Sequence, residues 1–155
     1  MKMMHYDAHI RDAYKSLHEP DYSFVSKAVE QARYAEIGPS LSELGCTVVD
    51  DTDLTTDVCR TLIVTKGDLQ ALVRLSFAGP FAAVCQLNGE AEKLKFLMPF
   101  LADRGLSVLS QAVLELPYEI ALLDLEEKPT VYNALFSTDP MPSSSGVEAP
   151  VLNET

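Results

Sequence analysis

The stretch Val48-Val49-Asp50-Asp51-Thr52-Asp53-Leu54-Thr55 crowds three carboxylates and two hydroxyls into a few residues. Carboxylates at such spacing can hold a divalent cation when the rest of the loop supplies matching oxygens. A calcium loop of the EF-hand type beginning at Asp51 would need glycine at its sixth position and glutamate at its twelfth. Those places hold Thr56 and Leu62, so no calcium site is expected. His5 and His9 stand four apart with Asp12 nearby, a spacing that could present two imidazoles to a metal from one helix. No glutamate follows the first histidine, and the helical wheel places both away from the apolar face, so they read as exposed side chains. Cys59 and His18 have no partners that would make a thiol nucleophile. Ser143-Ser144-Ser145 falls in a Pro- and Ser-rich tail. Gly79-Pro80 is not a phosphate loop, and no GxGxxG or Walker pattern occurs. Neither a cofactor nor a metal is expected.

Charge is the stronger signal. The chain of 155 residues carries 23 Asp and Glu against 12 Lys and Arg, a formal charge of -11. Such a field repels nucleic acid and anionic membrane and attracts basic partners. The aromatic residues do not alternate with basic ones, which removes a stacking platform for single strands. The acids are bunched, first at Asp50, Asp51, Asp53 and Asp57, then at Glu115, Glu119, Asp124, Glu126 and Glu127. In the second segment Leu114, Leu116, Tyr118, Ile120, Leu122 and Leu123 interleave with the acids. An apolar strip edged by carboxylates suits a basic protein partner. The candidate partner contacts are therefore Asp50, Asp51, Asp53, Asp57, Glu115, Tyr118, Glu119 and Asp124.

The elements that must position these residues follow from periodicity. Tyr6, Ile10, Tyr14 and Leu17 share one face of a helix over 4–18, ended by Glu19-Pro20. A second helix is expected from Ser23, as N-cap, to Ile37, with Val25, Ala28, Val29 and Ala32 inward and Gly38-Pro39 as its stop. Ser40 to Leu44 adds one turn, closed by Gly45. Val58–Thr65 is rich in β-branched residues, Leu69–Phe77 alternates with period two, and Lys66-Gly67-Asp68 between them is a hairpin turn. With Ala82–Leu87 these make an antiparallel meander, because parallel pairs need long crossovers. Asn88 is placed to cap a helix over 89–103, which Pro99 should kink. Residues 106–117 fit strand or helix. Ile120–Leu125 and Thr130–Phe136 read as short strands. Phe77, Phe81, Phe96 and Phe100 read as core, with a shared small-molecule pocket as the alternative. From Thr138 onward the chain has three prolines, a serine run and no basic residue, the composition of a disordered tail. The three cysteines, Cys46, Cys59 and Cys85, lack any CxxC spacing, and the N-terminus has no apolar signal region, so a reduced, cytoplasmic protein is expected.

Three resemblances attach to these residues. The run Asp51-Thr52-Asp53-Leu54-Thr55 is similar in spacing to the DxDxT motif of haloacid-dehalogenase-like phosphatases, and Leu62-Ile63-Val64-Thr65 to that family's second motif. The likeness implies Asp51 and Asp53 as nucleophile and acid/base around magnesium. It also implies a doubly wound parallel sheet with a long segment between the motifs, whereas here they lie about ten residues apart beside a hairpin. The run Thr130–Asp139 resembles the terminal strand of some immunity-type proteins of bacterial toxin systems, which are compact, acidic and cytoplasmic and block a toxin by binding it. The order helix, meander, helix, strands resembles class I type III secretion chaperones, which are acidic homodimers with one helix before the meander.

The expected fold is α+β: an antiparallel sheet of about four to six strands with helices packed on one side. A single globular domain over 1–137 precedes a disordered acidic, Pro- and Ser-rich tail over 138–155. The expected function is non-catalytic binding of a basic protein by an immunity-type inhibitor of a toxin. A secretion-chaperone-like homodimer and a phosphatase using Asp51 and Asp53 are the alternatives. No nucleic acid or membrane is expected as a partner.

Overall fold

In the computed structural model, which describes residues 6–122, 125 and 127–141, the chain is an α+β fold around one five-stranded sheet. Its helices are α1 (Tyr6–Tyr14), α2 (Ser23–Glu30), α3 (Ile37–Glu43), α4 (Leu97–Ala102), α5 (Gln111–Leu114) and α6 (Val131–Leu135). Its strands are β1 (Thr47–Asp50), β2 (Cys59–Lys66), β3 (Leu69–Ser76), β4 (Phe81–Asn88) and β5 (Ser107–Val108), in spatial order β1-β2-β3-β4-β5. The first four form an antiparallel meander. β5 joins β4 in parallel, reached by the crossover through the 3-10 turn Ala91–Phe96 and α4.

Alternation along the meander sends two sets of side chains to opposite faces. Leu62, Val64, Ala71, Val73, Leu75 and Val84 pack with Ile37 and Leu41 of α3 and with Leu97 and Leu101 of α4. Cys59, Phe81 and Ala83 pack with Ile10 and Tyr14 of α1, Leu114 of α5 and Tyr132 and Leu135 of α6. Helical packing thus occupies both faces, where one was expected. The second face is shared by helices too short to show a long apolar period. Phe81 and Phe100 belong to different cores, so the four phenylalanines do not share a pocket.

Several local expectations change for identifiable reasons. α2 stops at Glu30, not Ile37, and Ala32 and Tyr34 turn left-handed at φ 53° and 68°. Tyr34 donates its hydroxyl to the Ser76 carbonyl at 2.7 Å and stacks on Phe77, and Arg33 donates to the Phe77 carbonyl at 3.0 Å. These tertiary anchors at the end of β3 outweigh local helix propensity. Gly38 and Pro39 then lie in the first turn of α3, where proline forfeits no helical hydrogen bond. Ser23 is the first helical residue rather than the cap; its amide is taken by the Asp21 carboxylate at 2.9 Å. Likewise Asn88 accepts only from the Gly89 amide, and Pro99 sits in the first turn of α4, so the break falls at Phe96 and not at the proline. β1 is short, at the sheet edge, and mostly exposed.

The two strands expected late in the chain are not strands. Thr130–Phe136 forms α6, opened by a reciprocal cap in which Thr130 Oγ1 accepts the Asn133 amide and Asn133 Oδ1 accepts the Thr130 amide. The described part of Ile120–Leu125 has no strand; the Ala121 amide is held by the Leu17 carbonyl at 2.9 Å. The domain continues past 137, since Thr138 donates its amide to the Thr56 carbonyl and Met141 packs against the second core. The remainder of the expected tail, 142–155, lies outside the described residues.

The two-residue turn Gly67-Asp68 joins β2 and β3 with Gly67 at φ 62°, as a tight hairpin requires. Gly89 is more constrained. It has φ 94°, and a Cβ there would meet the Asp68 carbonyl oxygen at 2.7 Å and Leu69 Cα at 2.8 Å. Neither is a flexible side-chain end. Gly89→Ala is expected to lower stability by about 1–3 kcal/mol, read as a drop in thermal midpoint; an unchanged midpoint would contradict this packing.

Candidate functional site

The acidic loop 51–58 connects β1 to β2 and is shaped by its own hydroxyls. Asp50 Oδ1 accepts from the Thr52 amide at 3.1 Å and hydroxyl at 2.6 Å; Asp53 Oδ1 accepts from the Thr55 amide at 3.0 Å and hydroxyl at 2.6 Å. The aspartate–threonine alternation that looked catalytic thus builds two consecutive side-chain turns. The Asp50 and Asp53 carboxylates are held below the usual range. Hydrogen bonds from Thr55 lower Asp53. Partial burial works against the charge of Asp50, yet Thr52 and the Arg60 guanidinium at 2.8 Å together pull it down.

Because Asp50 is depressed in the folded state, its contribution is present above the ordinary carboxylate pKa of 3.8 and fades as pH falls through the lower folded value. The urea midpoint is expected to fall on acidification below about pH 4, and to fall less steeply in Asp50→Asn. Equal slopes in the two proteins would contradict the assignment.

Asp57 departs from the expected surface role. It is 3% exposed and lies inside the protein. Arg74 Nη1 meets its Oδ1 at 2.9 Å, the Thr61 hydroxyl donates to its Oδ2 at 2.9 Å, the Ser137 hydroxyl to Oδ1 at 2.8 Å, and the Asp53 amide to Oδ2 at 3.0 Å. Burial opposes the Arg74 charge, but Tyr132, Cys59 and Asp57 more than offset it and hold the guanidinium above its ordinary pKa. The pair binds the acidic loop, β2, β3 and the segment after α6 into one polar knot. Its cysteine neighbour is inert: burial pushes the Cys59 thiol up to about 12. Cys46 and Cys85 are also buried, with burial raising both thiols, Cys85 to about 11.

Above this knot lies a groove of about 530 Å³ between α2 and the acidic loop. Tyr14, Tyr22, Val25 and Val58 give it apolar walls, Leu122 closes one end, and Val29 and Leu54 stand at its lips. Val29 is 44% exposed and Leu54 51%, although Val29 belongs to the face of α2 expected to point inward. Among the described residues the lining includes Glu30 and the buried, ion-paired Asp57 and no Lys or Arg. Asp51 and Asp53 are exposed on the adjoining loop, and Asp139 accepts from the Thr56 hydroxyl at its edge.

The other sequence-derived residues do not gather here. Exposed Glu115 ends α5 and accepts from Gln111 Nε2 at 2.9 Å. Tyr118 donates to Asp7 Oδ1 at 2.6 Å, and Glu119 borders a separate cleft beside α1. Asp124 lies outside the described residues, as does His5. His9 packs edge-on to Phe81 at 5.3 Å, and no group of three or more metal-ligating side chains forms among the described residues. The missed residues are Val25, Val29 and Arg74. Arg74 carried a signal, being the one cation within the alternating apolar strand β3.

Asp51 and Asp53 sit between antiparallel strands, and Leu62–Thr65 lies in β2 paired to β1, so the phosphatase arrangement has no parallel sheet to stand on. The meander has four strands and three preceding helices, against the three strands and one helix that the chaperone resemblance implies. The run that resembled an immunity-type terminal strand is α6. Comparison with protein-family models, with curated proteins and with solved structures gives no match. Among the described residues no helix is long and apolar enough to cross a membrane.

Proposed function

We propose that this protein is a non-catalytic binding module whose groove between α2 and the acidic loop receives a basic protein, in the manner of an immunity-type inhibitor that occupies a toxin. The observation that carries this reading is the pairing of exposed Val29 and Leu54 with Glu30 in the lining and with the exposed Asp51 and Asp53 of the adjoining loop. Apolar anchors supply lasting affinity once water is excluded, while carboxylates at the edge accelerate encounter and oppose Lys and Arg on the partner. The net charge of -11 adds a long-range attraction for the same partners. The buried Asp57–Arg74 knot serves by holding the loop in place rather than by touching the partner.

The test is affinity capture from the source cell with the full chain as bait. The expected result is one basic protein in equimolar complex, released by raised salt, whose expression alone arrests growth and whose effect co-expression relieves. Capture of an acidic protein, or of a basic one without any growth effect, would contradict the inhibitor reading.

A further inference from the structure

A second concavity, of about 710 Å³, lies at the end of α1 and carries the opposite character. Arg11, Lys15 and His18 line it in a chain that has a net charge of -11. Arg11 is held in place: its Nε contacts both Asp7 oxygens at 3.1 Å, and Tyr118 fixes the same carboxylate at 2.6 Å. Its two Nη groups have no hydrogen-bond partner among the described residues, and neither does the Lys15 ammonium. Lys15 leaves the helix at φ 68°, and the following residues Ser16 and Leu17 also line the cleft; their amides carry no hydrogen bond among the described residues. Among the described residues Glu119 is the single carboxylate in the lining, and Leu17, Ile120 and Pro129 give it apolar surface.

We infer that this cleft binds a compact oxyanion, a carboxylate or phosphate group borne by a ligand with a short apolar flank. A guanidinium held by its Nε presents its remaining donors as a fork that fits such a group, and main-chain amides add donors at no side-chain entropy. The site is separate from the groove assigned to the basic partner, so either can fail without the other.

The experiment titrates the full chain with inorganic phosphate and, separately, with acetate, each against chloride at matched ionic strength, while amide NMR shifts are followed. Saturable shifts centred on Ser16, Leu17 and His18 are expected, with the apparent Kd raised about tenfold or more in the exposed double variant Arg11→Gln/Lys15→Gln. Saturation by phosphate alone or by acetate alone assigns the group within the proposal. Shifts that match chloride for both probes, or a Kd unchanged in the folded double variant, would overturn it.

Discussion

Asp57→Ala is expected to lose roughly 3–5 kcal/mol of stability, a large part of the total for a domain of this size. Removing the carboxylate leaves Arg74, only 7% exposed, without its counter-charge, and strips the Thr61 and Ser137 hydroxyls of their acceptor. Arg74 Nε already has no partner among the described residues, so the group has little to fall back on. The double variant Asp57→Asn/Arg74→Met should recover most of the loss, since removing both charges avoids an unpaired one in a dry site. Urea unfolding followed by circular dichroism separates these outcomes. A single-variant loss no greater than that of Asp68→Ala, which breaks the exposed Lys93–Asp68 pair, would contradict the role given to the knot.

Leu54→Asp combined with Val29→Asp is expected to weaken the complex with the basic partner by at least about thirtyfold, the effect of losing apolar anchors at the centre of an interface. Both side chains are half exposed, so the thermal midpoint should move little. Asp51→Asn and Asp53→Asn should act differently, slowing association and flattening its salt dependence while dissociation changes less. Calorimetry and stopped-flow mixing distinguish the two patterns. Unchanged affinity in the double aspartate variant would remove the groove from the interface.

The meander was legible because β2 and β3 alternate or carry β-branched residues, and Gly67 marks the turn between them. The segment 130–136 was misread because Val131, Tyr132 and Phe136 favour strands by composition, while the Thr130 and Asn133 cap, three residues apart, decided for a helix. Read along the sequence, the acidic cluster looks uniform. Sequence proximity joined Asp57 to Asp50, Asp51 and Asp53, whereas folding sends Asp57 inward to an arginine on another strand and leaves the others outside. The groove could not be read from either acidic segment alone, since it forms where α2, the loop and Leu122 meet.

Whether the groove receives the proposed basic partner is tested most directly by hydrogen–deuterium exchange of the full chain, free and in complex with the captured protein. The expected result is new protection at Tyr22–Glu30 and Leu54–Val58, with the α1 end at Lys15–His18 unchanged. Protection confined to other segments, with α2 and the acidic loop exchanging as in the free protein, would contradict the assignment of the groove.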